Sequence, residues 1–135
     1  PIYGAASLYL YDRFISMGLN CPRPEGAFYL FPDFSNFKEK LKIKGLTDGL
    51  ALSKHLIENF HVALLPGEDF YYPAEHFCCR IASVDYDGAY VYQQSLQSLF
   101  EGKGEATLDN IFIEKYCPNL KLGCDEIEIF LKSLG

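Results

Sequence analysis

The chain has 135 residues, 12 basic and 18 acidic, which gives a formal net charge of −6. Hydrophobic residues make up 49% and charged residues 22%, values typical of a folded globular domain rather than a disordered segment. The acidic balance argues against a nucleic-acid partner, which would require a basic surface. No apolar run approaches the roughly 20 residues that cross a bilayer, and the first residues lack signal-peptide features. We therefore expect no membrane partner and a cytoplasmic location.

The first helix is predicted over residues 5–17, with Gly18 as its end. Its apolar residues recur at helical spacing, namely Leu8, Tyr11 and Ile15. Pro22 and Pro24 then favour an extended connection, because each disfavours the helical region for the residue before it.

A strand is predicted over residues 27–31, where aromatic and aliphatic side chains precede Pro32. Lysines alternate with other residues between positions 38 and 45. This run could be an anion-binding edge, but we favour a solvated loop or edge strand whose lysines prevent aggregation.

Thr47 or Asp48 is predicted to cap a second helix that runs to about Phe60. Two apolar stretches, residues 62–65 and 77–84, are predicted as strands, and Pro66-Gly67 is expected to end the first of them.

Two further helices are predicted toward the end of the chain. Asp85 and Asp87 offer caps for a helix that ends near Gly102, with a buried stripe of Ala89, Tyr92, Leu96 and Leu99. The final helix is expected to begin at Asp125, with Glu128 as the capping-box partner. Its apolar positions follow i, i+3, i+4, i+7, at Ile127, Phe130, Leu131 and Leu134.

The order of elements defines the expected fold class. The strands at 62–65 and 77–84 lie too close in sequence for a crossover helix, so they must be antiparallel if they pair. We therefore predict an α+β fold with a small, largely antiparallel sheet and helices packed on one face.

The cysteines are odd in number, whereas a secreted disulfide framework favours an even count. They are Cys21, Cys78, Cys79, Cys117 and Cys124. We favour reduced, buried thiols. The alternative is a zinc site using His76, Cys78, Cys117 and Cys124. No Cys-x-x-Cys pair supports that set, so we predict no metal site.

Arg80 is the most informative residue for function. Strand alternation places it on one face with the small or apolar residues Cys78, Ala82 and Val84. A guanidinium in such surroundings needs an anionic partner, and its fork matches a carboxylate with two parallel hydrogen bonds. That partner could be internal or a substrate carboxylate; the internal candidates are Glu68, Asp69 and Glu75.

Three segments in order carry a resemblance to a known family. They are PEGAFYLFPD at 24–33, VALLPGEDF at 62–70 and RIA at 80–82. Together they resemble the C-terminal small domain of class I/II aminotransferases, the fold-type-I enzymes that depend on pyridoxal phosphate. The resemblance covers residues 1 to about 100.

The resemblance implies roles for particular residues. Arg80 stands where the family binds the α-carboxylate of the substrate, and Gly26 matches a position that shapes the substrate mouth. Phe70 holds the aromatic place after the Pro-Gly turn, where core packing is an equally good interpretation. The implied substrates are an amino acid and a 2-oxo acid, with pyridoxal phosphate as cofactor.

The sequence also departs from the family pattern. The cofactor lysine of the family lies in a Ser-x-x-Lys segment of the large domain, and Ser53-Lys54 does not match it. The resemblance therefore implies that an N-terminal large domain is missing and that this chain alone is inactive. We expect residues 1–102 to form the small domain and 103–135 a helical extension packed on or beside it. The intact enzyme is expected to be a homodimer.

Two alternatives remain open at this point. The chain could be a catalytically silent interaction module that retains the small-domain fold. It could also belong to a related pyridoxal-phosphate lyase or synthase, because such enzymes use the same domain with the same arginine.

Overall fold

Helices flank a small sheet in the computed structural model, which describes residues 2–24, 29–82, 88–100 and 109–135. The helices are α1 (Ile2–Ser16), α2 (Lys38–Ile43), α3 (Gly49–Phe60), α4 (Gly88–Phe100), α5 (Asn110–Tyr116) and α6 (Pro118–Ser133). The strands are β1 (Tyr29–Leu30), β2 (Leu65–Pro66) and β3 (Cys79–Ala82). Across these ranges, no helix combines the length and the apolar character needed to span a membrane.

The sheet has the order β1-β3-β2, and β3 pairs antiparallel with both neighbours. Leu30 and Cys79 on its inner face are buried against the helices, whereas Tyr29 and Leu65 on the other face are exposed. This arrangement confirms the predicted α+β class with a small antiparallel sheet. It leaves the outer face of the sheet uncovered by the described helices.

The hydrophobic core lies between the inner face of the sheet and helices α1, α3 and α6. Its largest fully buried side chains include Tyr9, Phe14, Phe34, Phe77 and Phe130. Burial of aromatic rings of this size supplies much of the free energy of folding of a chain of this length.

Helix α1 confirms the first predicted helix, but its buried face differs from the predicted one. Gly18 ends the helix with φ +95°, a left-handed conformation that glycine adopts at little cost. Ile15 is 45% exposed, and the buried side chains are instead Ala6, Tyr9, Leu10 and Phe14. The apolar residues of this segment surround much of the helix, so spacing alone does not select the packed side.

The lysine-rich run forms a helix, so the predicted loop or edge strand is wrong. Helix α2 buries Leu41 completely and exposes Lys40 and Lys42. Lysine is a good helix former, and a single anchored leucine fixes one turn of such a helix to the core. The solvated character of the lysines was predicted correctly.

Both predicted strands in the middle of the chain begin later than expected, and residues 83 and 84 of the second lie outside the described residues. Phe77 has φ +50°, a left-handed value that interrupts extended backbone before β3. Residues 62–64 form no strand, and Pro66 belongs to β2 rather than ending it. An edge strand tolerates proline because no ladder hydrogen bond is required on its outer side.

The two late helices also differ from their predictions. In α4, Val91 is buried, whereas Ala89 and Tyr92 of the predicted stripe are exposed. Asp85 and Asp87, the predicted caps, lie outside the described residues.

Helix α6 begins at Pro118 and not at Asp125, because proline suits the first helical turn and Asp125 has side-chain partners elsewhere. The predicted apolar stripe of this helix is correct, since Ile127, Phe130 and Leu131 are buried.

Arg13 joins α1 to the last helix through a group of charged and polar side chains. Its guanidinium lies 2.8 Å from Asp125 and 3.2 Å from Glu128, and it donates to the Tyr9 hydroxyl at 2.9 Å. The Tyr9 hydroxyl in turn donates to Glu114 in α5. Polar contacts thus add to the apolar contacts that hold α5 and α6 against α1.

Asp125 makes the stability of this contact depend on pH. Partial burial acts to raise its pKa, but hydrogen bonds from Lys121 and Arg13 outweigh it and the pKa is lowered. A pKa lower in the folded state stabilises the protein above the unfolded pKa, and this contribution is lost as pH falls through the folded value.

The unfolding free energy of the unmodified chain should therefore fall on acidification, in part because Asp125 is protonated. In Asp125→Asn this fall should be smaller by at most about 1 kcal/mol, because the ion pair is partly exposed. Urea unfolding at pH 6 and about pH 3 measures it.

The matched control for this measurement is Asp69→Asn, which changes an exposed carboxylate. It should leave the pH dependence unchanged. An Asp125→Asn protein with the same pH dependence as the unmodified chain would contradict the assignment of this ion pair.

Candidate functional site

Arg80 lies on the outer face of the sheet, in the central strand β3. Leu65 is its direct partner across β2, and Tyr29 of β1 is paired with Ala82 two residues further along β3. Because side chains alternate along a strand, Tyr29, Leu65, Arg80 and Ala82 share one face. The guanidinium therefore projects from the sheet on the side opposite the core.

Two aromatic rings pack against the Arg80 guanidinium. The central carbon Cζ lies 4.2 Å from the ring centroid of Tyr29 and 4.2 Å from that of Phe70. In both contacts the cation lies over the face of the ring, within the distance at which the ring quadrupole attracts it. We call Arg80, Tyr29 and Phe70 the arginine clamp.

The internal salt bridge considered for Arg80 is wrong. In the part of the chain that the structure describes, neither Glu68, Asp69 nor Glu75 forms an ion pair with it. Glu68 instead accepts a hydrogen bond from the Leu50 N–H at 2.8 Å, at the first turn of α3. A carboxylate in that position is stabilised by the helix N-terminus.

The Pro-Gly turn brings Phe70 over the sheet. Residues Gly67–Phe70 form a single 3₁₀ turn directly after β2, and the Gly67 N–H donates to the Cys78 carbonyl at 2.7 Å. A Cβ at Gly67 would lie 2.7 Å from that same carbonyl oxygen. The close approach of the two backbones therefore requires glycine.

We predict that Gly67→Ala destabilises the fold, because the new methyl group would overlap backbone that cannot move independently. Overpacking of this kind costs about 1–3 kcal/mol in unfolding free energy. Urea unfolding checks the value, with Gly123→Ala as control, since a Cβ at Gly123 meets nothing within 4 Å. Equal stability of the two variants would contradict the packing described for the turn.

An aromatic cluster continues from the clamp toward the edge of the sheet. The Phe31 ring contacts Phe70 at 5.9 Å, edge to face, and Tyr72 at 5.2 Å. Sequence reasoning considered Phe70 but missed Tyr29, although Tyr29 and Phe31 alternate with the buried Leu30 and so share the open face. That alternation was the available signal.

Gly26, the second predicted substrate-binding residue, lies outside the described residues. Its role stays a prediction.

The cysteines are free thiols. Burial raises the pKa of Cys21 and Cys117 to about 11, and that of Cys78, Cys79 and Cys124 to about 12. Thiols with such pKa values are poor nucleophiles and metal ligands at neutral pH. The described residues bring together no group of three or more His, Cys, Asp or Glu side chains suited to a metal ion, and this includes the alternative zinc set.

Fold and site together define a small α+β domain that holds an arginine on an open sheet face, a geometry suited to carboxylate binding. The chain belongs to the aminotransferase class I and II family, whose family model matches residues 4–87.

Similar proteins with curated names are aminotransferases. A probable N-acetyl-LL-diaminopimelate aminotransferase of Bacillus subtilis (strain 168) is 44% identical over 62 residues, 46% of this chain and 14% of that protein. A probable aspartate/prephenate aminotransferase of Aquifex aeolicus (strain VF5) is 45% identical over 53 residues, covering 39% and 12%. An aspartate aminotransferase of Pinus pinaster is 42% identical over 77 residues, covering 55% and 15%. The chain thus matches less than a sixth of the length of each relative.

The described residues of this chain do not fit covalent attachment of pyridoxal phosphate. None of the described lysines is buried, and Lys54 is exposed on α3. The neighbouring Ser53 is buried, with its hydroxyl 3.2 Å from the Cys79 sulfur. A cofactor lysine would have to come from outside these residues.

Proposed function

We propose that this chain is the C-terminal small domain of a pyridoxal-phosphate-dependent aminotransferase, and that Arg80 binds the α-carboxylate of the substrate. The observation that carries the proposal is the position of Arg80. Its guanidinium lies on the outer face of the sheet against two rings, and no described carboxylate pairs with it. The family match over residues 4–87 supports the reaction class.

In the proposed enzyme the amino group moves between an amino acid and a 2-oxo acid, both of which carry an α-carboxylate. The cofactor supplies the electron sink for this chemistry. Arg80 holds the carboxylate with two parallel N–H···O bonds and so fixes the orientation of the α-carbon. Gly26 is proposed to shape the entrance to the substrate site.

Other parts of the proposed enzyme lie beyond the described site. The cofactor lysine belongs to an N-terminal large domain, so the chain alone is proposed to be inactive. Residues 1–102 form the small domain and 103–135 the extension. The intact enzyme is proposed to be a cytoplasmic homodimer.

The experiment begins with the coding sequence upstream of Pro1. We expect an in-frame segment that contains a Ser-x-x-Lys motif followed by glycine and arginine. The complete protein, purified with pyridoxal phosphate, is then assayed with aspartate, a substrate named for several of the relatives, and with 2-oxoglutarate as acceptor. The control is the 135-residue chain with the same additions, which should give no turnover.

The outcomes separate the proposal from its alternatives. Transfer of the amino group to the 2-oxo acid supports it. Release of ammonia, or a condensation product without transfer, would identify a lyase or a synthase. A complete protein without the lysine segment and without activity would be a catalytically silent interaction module.

A further inference from the structure

The arginine clamp restricts how Arg80 can meet a ligand. A guanidinium is flat, and all of its N–H donors lie in its plane and point outward from its edge. Tyr29 and Phe70 lie against the guanidinium and so limit the directions from which an anion can approach its N–H donors. The edge of the group is the direction in which a carboxylate forms two parallel hydrogen bonds.

The two rings are held by different parts of the fold. Tyr29 is fixed by the pairing of β1 with β3, in which it lies opposite Ala82 and diagonal to Arg80. Phe70 is fixed by the 3₁₀ turn, which the Gly67 N–H ties to the Cys78 carbonyl.

Glu68 ties the same turn to α3 through the Leu50 N–H. The Glu68 Oε1 atom fills the space beside Gly49 that a side chain there would occupy. The position of the Phe70 ring therefore depends on α3 as well as on the sheet.

We infer that Tyr29 and Phe70 are positioning residues, which hold the Arg80 guanidinium so that its N–H edge faces the substrate carboxylate. This inference rests on the function proposed above. Without the rings, the arginine side chain rotates among several rotamers and loses conformational entropy when it binds a carboxylate. With the rings in place, the Arg80 side chain loses this conformational entropy when the protein folds, before the carboxylate binds.

The first part of the test uses the 135-residue chain, so that it does not depend on enzyme activity. The Arg80 Nε–Hε resonance is assigned as the signal lost in Arg80→Lys. A proton held between two ring faces resonates upfield of free arginine. We expect Tyr29→Leu and Phe70→Leu to move the Arg80 Hε signal toward the free-arginine position. The control is Tyr72→Leu, because the Tyr72 ring contacts Phe31 and is not among the rings found against Arg80 in the described residues. It should leave the signal unchanged.

The second part measures the complete enzyme with two amino donors, aspartate and the amine that has the same side chain without the α-carboxylate. We expect Tyr29→Leu and Phe70→Leu each to lower kcat/KM for aspartate about threefold to tenfold, mainly through KM. The value for the amine should not change. Tyr29→Phe keeps the ring and should restore the aspartate value.

Each outcome decides a separate point. An Arg80 Hε signal at the free-arginine position in the unmodified chain would overturn the arginine clamp. Equal losses of kcat/KM for the two donors in the ring variants would also overturn it, because they indicate general damage to the site. If Tyr29→Leu and Phe70→Leu kept the kcat/KM for aspartate while Arg80→Lys lowered it, the positioning role would be overturned and the proposed function would stand. Normal activity of both the ring variants and Arg80→Lys would overturn the proposed function and the positioning role together.

Discussion

Arg80→Lys is expected to lower kcat/KM of the proposed complete aminotransferase for its amino-acid donor about 10- to 150-fold. Lysine keeps the positive charge but presents a point charge where arginine presents a planar fork. The variant therefore loses one charge-assisted hydrogen bond to the carboxylate, worth about 1.5–3 kcal/mol. It also loses the flat group that packs against Tyr29 and Phe70. Steady-state kinetics with aspartate and 2-oxoglutarate measure the effect.

The matched control is Arg23→Lys. Arg23 is exposed and packs its guanidinium 5.8 Å from the Tyr11 ring, so the same chemical change is made at an arginine outside the site. It should leave kcat/KM within about twofold of the unmodified value. Similar losses in both variants, or kinetics for Arg80→Lys that match those of the unmodified enzyme, would show that Arg80 does not receive the carboxylate.

Phe130→Ala is expected to lower the free energy of unfolding of this chain by about 3–5 kcal/mol. Phe130 is 1% exposed, and its ring lies 5.4 Å from those of Phe60 and His55 in α3. Truncation removes the transfer free energy of the ring and leaves a cavity that the surrounding helices fill only in part. The result reports directly on how firmly α6 packs on the rest of the chain. Urea denaturation followed by circular dichroism measures it.

Ile129→Ala is the control for this measurement, because Ile129 is the preceding residue of the same helix and is 54% exposed. Its unfolding free energy should change by less than about 1 kcal/mol. If Phe130→Ala were no more destabilising than Ile129→Ala, α6 would not be part of the core.

Local chemistry explains which elements could be predicted from the sequence. Asp48 is the N-cap of α3, where its carboxylate accepts from the Ala51 N–H at 2.8 Å, and Gly18 ends α1. Each of these signals acts within a few residues of the chain. The α+β class followed in the same way, from two apolar stretches too close for a parallel connection.

The buried faces of the helices depended on contacts distant in sequence. In α4 the spacing of apolar residues predicted a buried stripe that includes Ala89 and Tyr92, whereas Val91 is the buried residue among these three. The left-handed residue Phe77, which precedes β3, is not a glycine, so the sequence did not predict that the extended backbone is interrupted there.

The candidate site was predictable in part. Alternation along β3 identified Arg80 as a residue that needs a partner, and the Pro-Gly turn pointed to Phe70. The contribution of Tyr29 depends on the register that pairs it with Ala82, which joins positions far apart in the chain. Glu68 was misassigned because its attachment to α3 depends on the approach of that helix to the turn.

The most direct test of the central claim is a crystal structure of the complete enzyme with a bound dicarboxylate substrate analogue such as maleate. We predict that a carboxylate of the analogue lies in the plane of the Arg80 guanidinium, with two N–H···O distances of about 2.8 Å. The ring centroids of Tyr29 and Phe70 should remain 4.2 Å from the Arg80 Cζ, as they are here. A carboxylate bound elsewhere, with Arg80 paired to a side chain of the enzyme, would contradict the account.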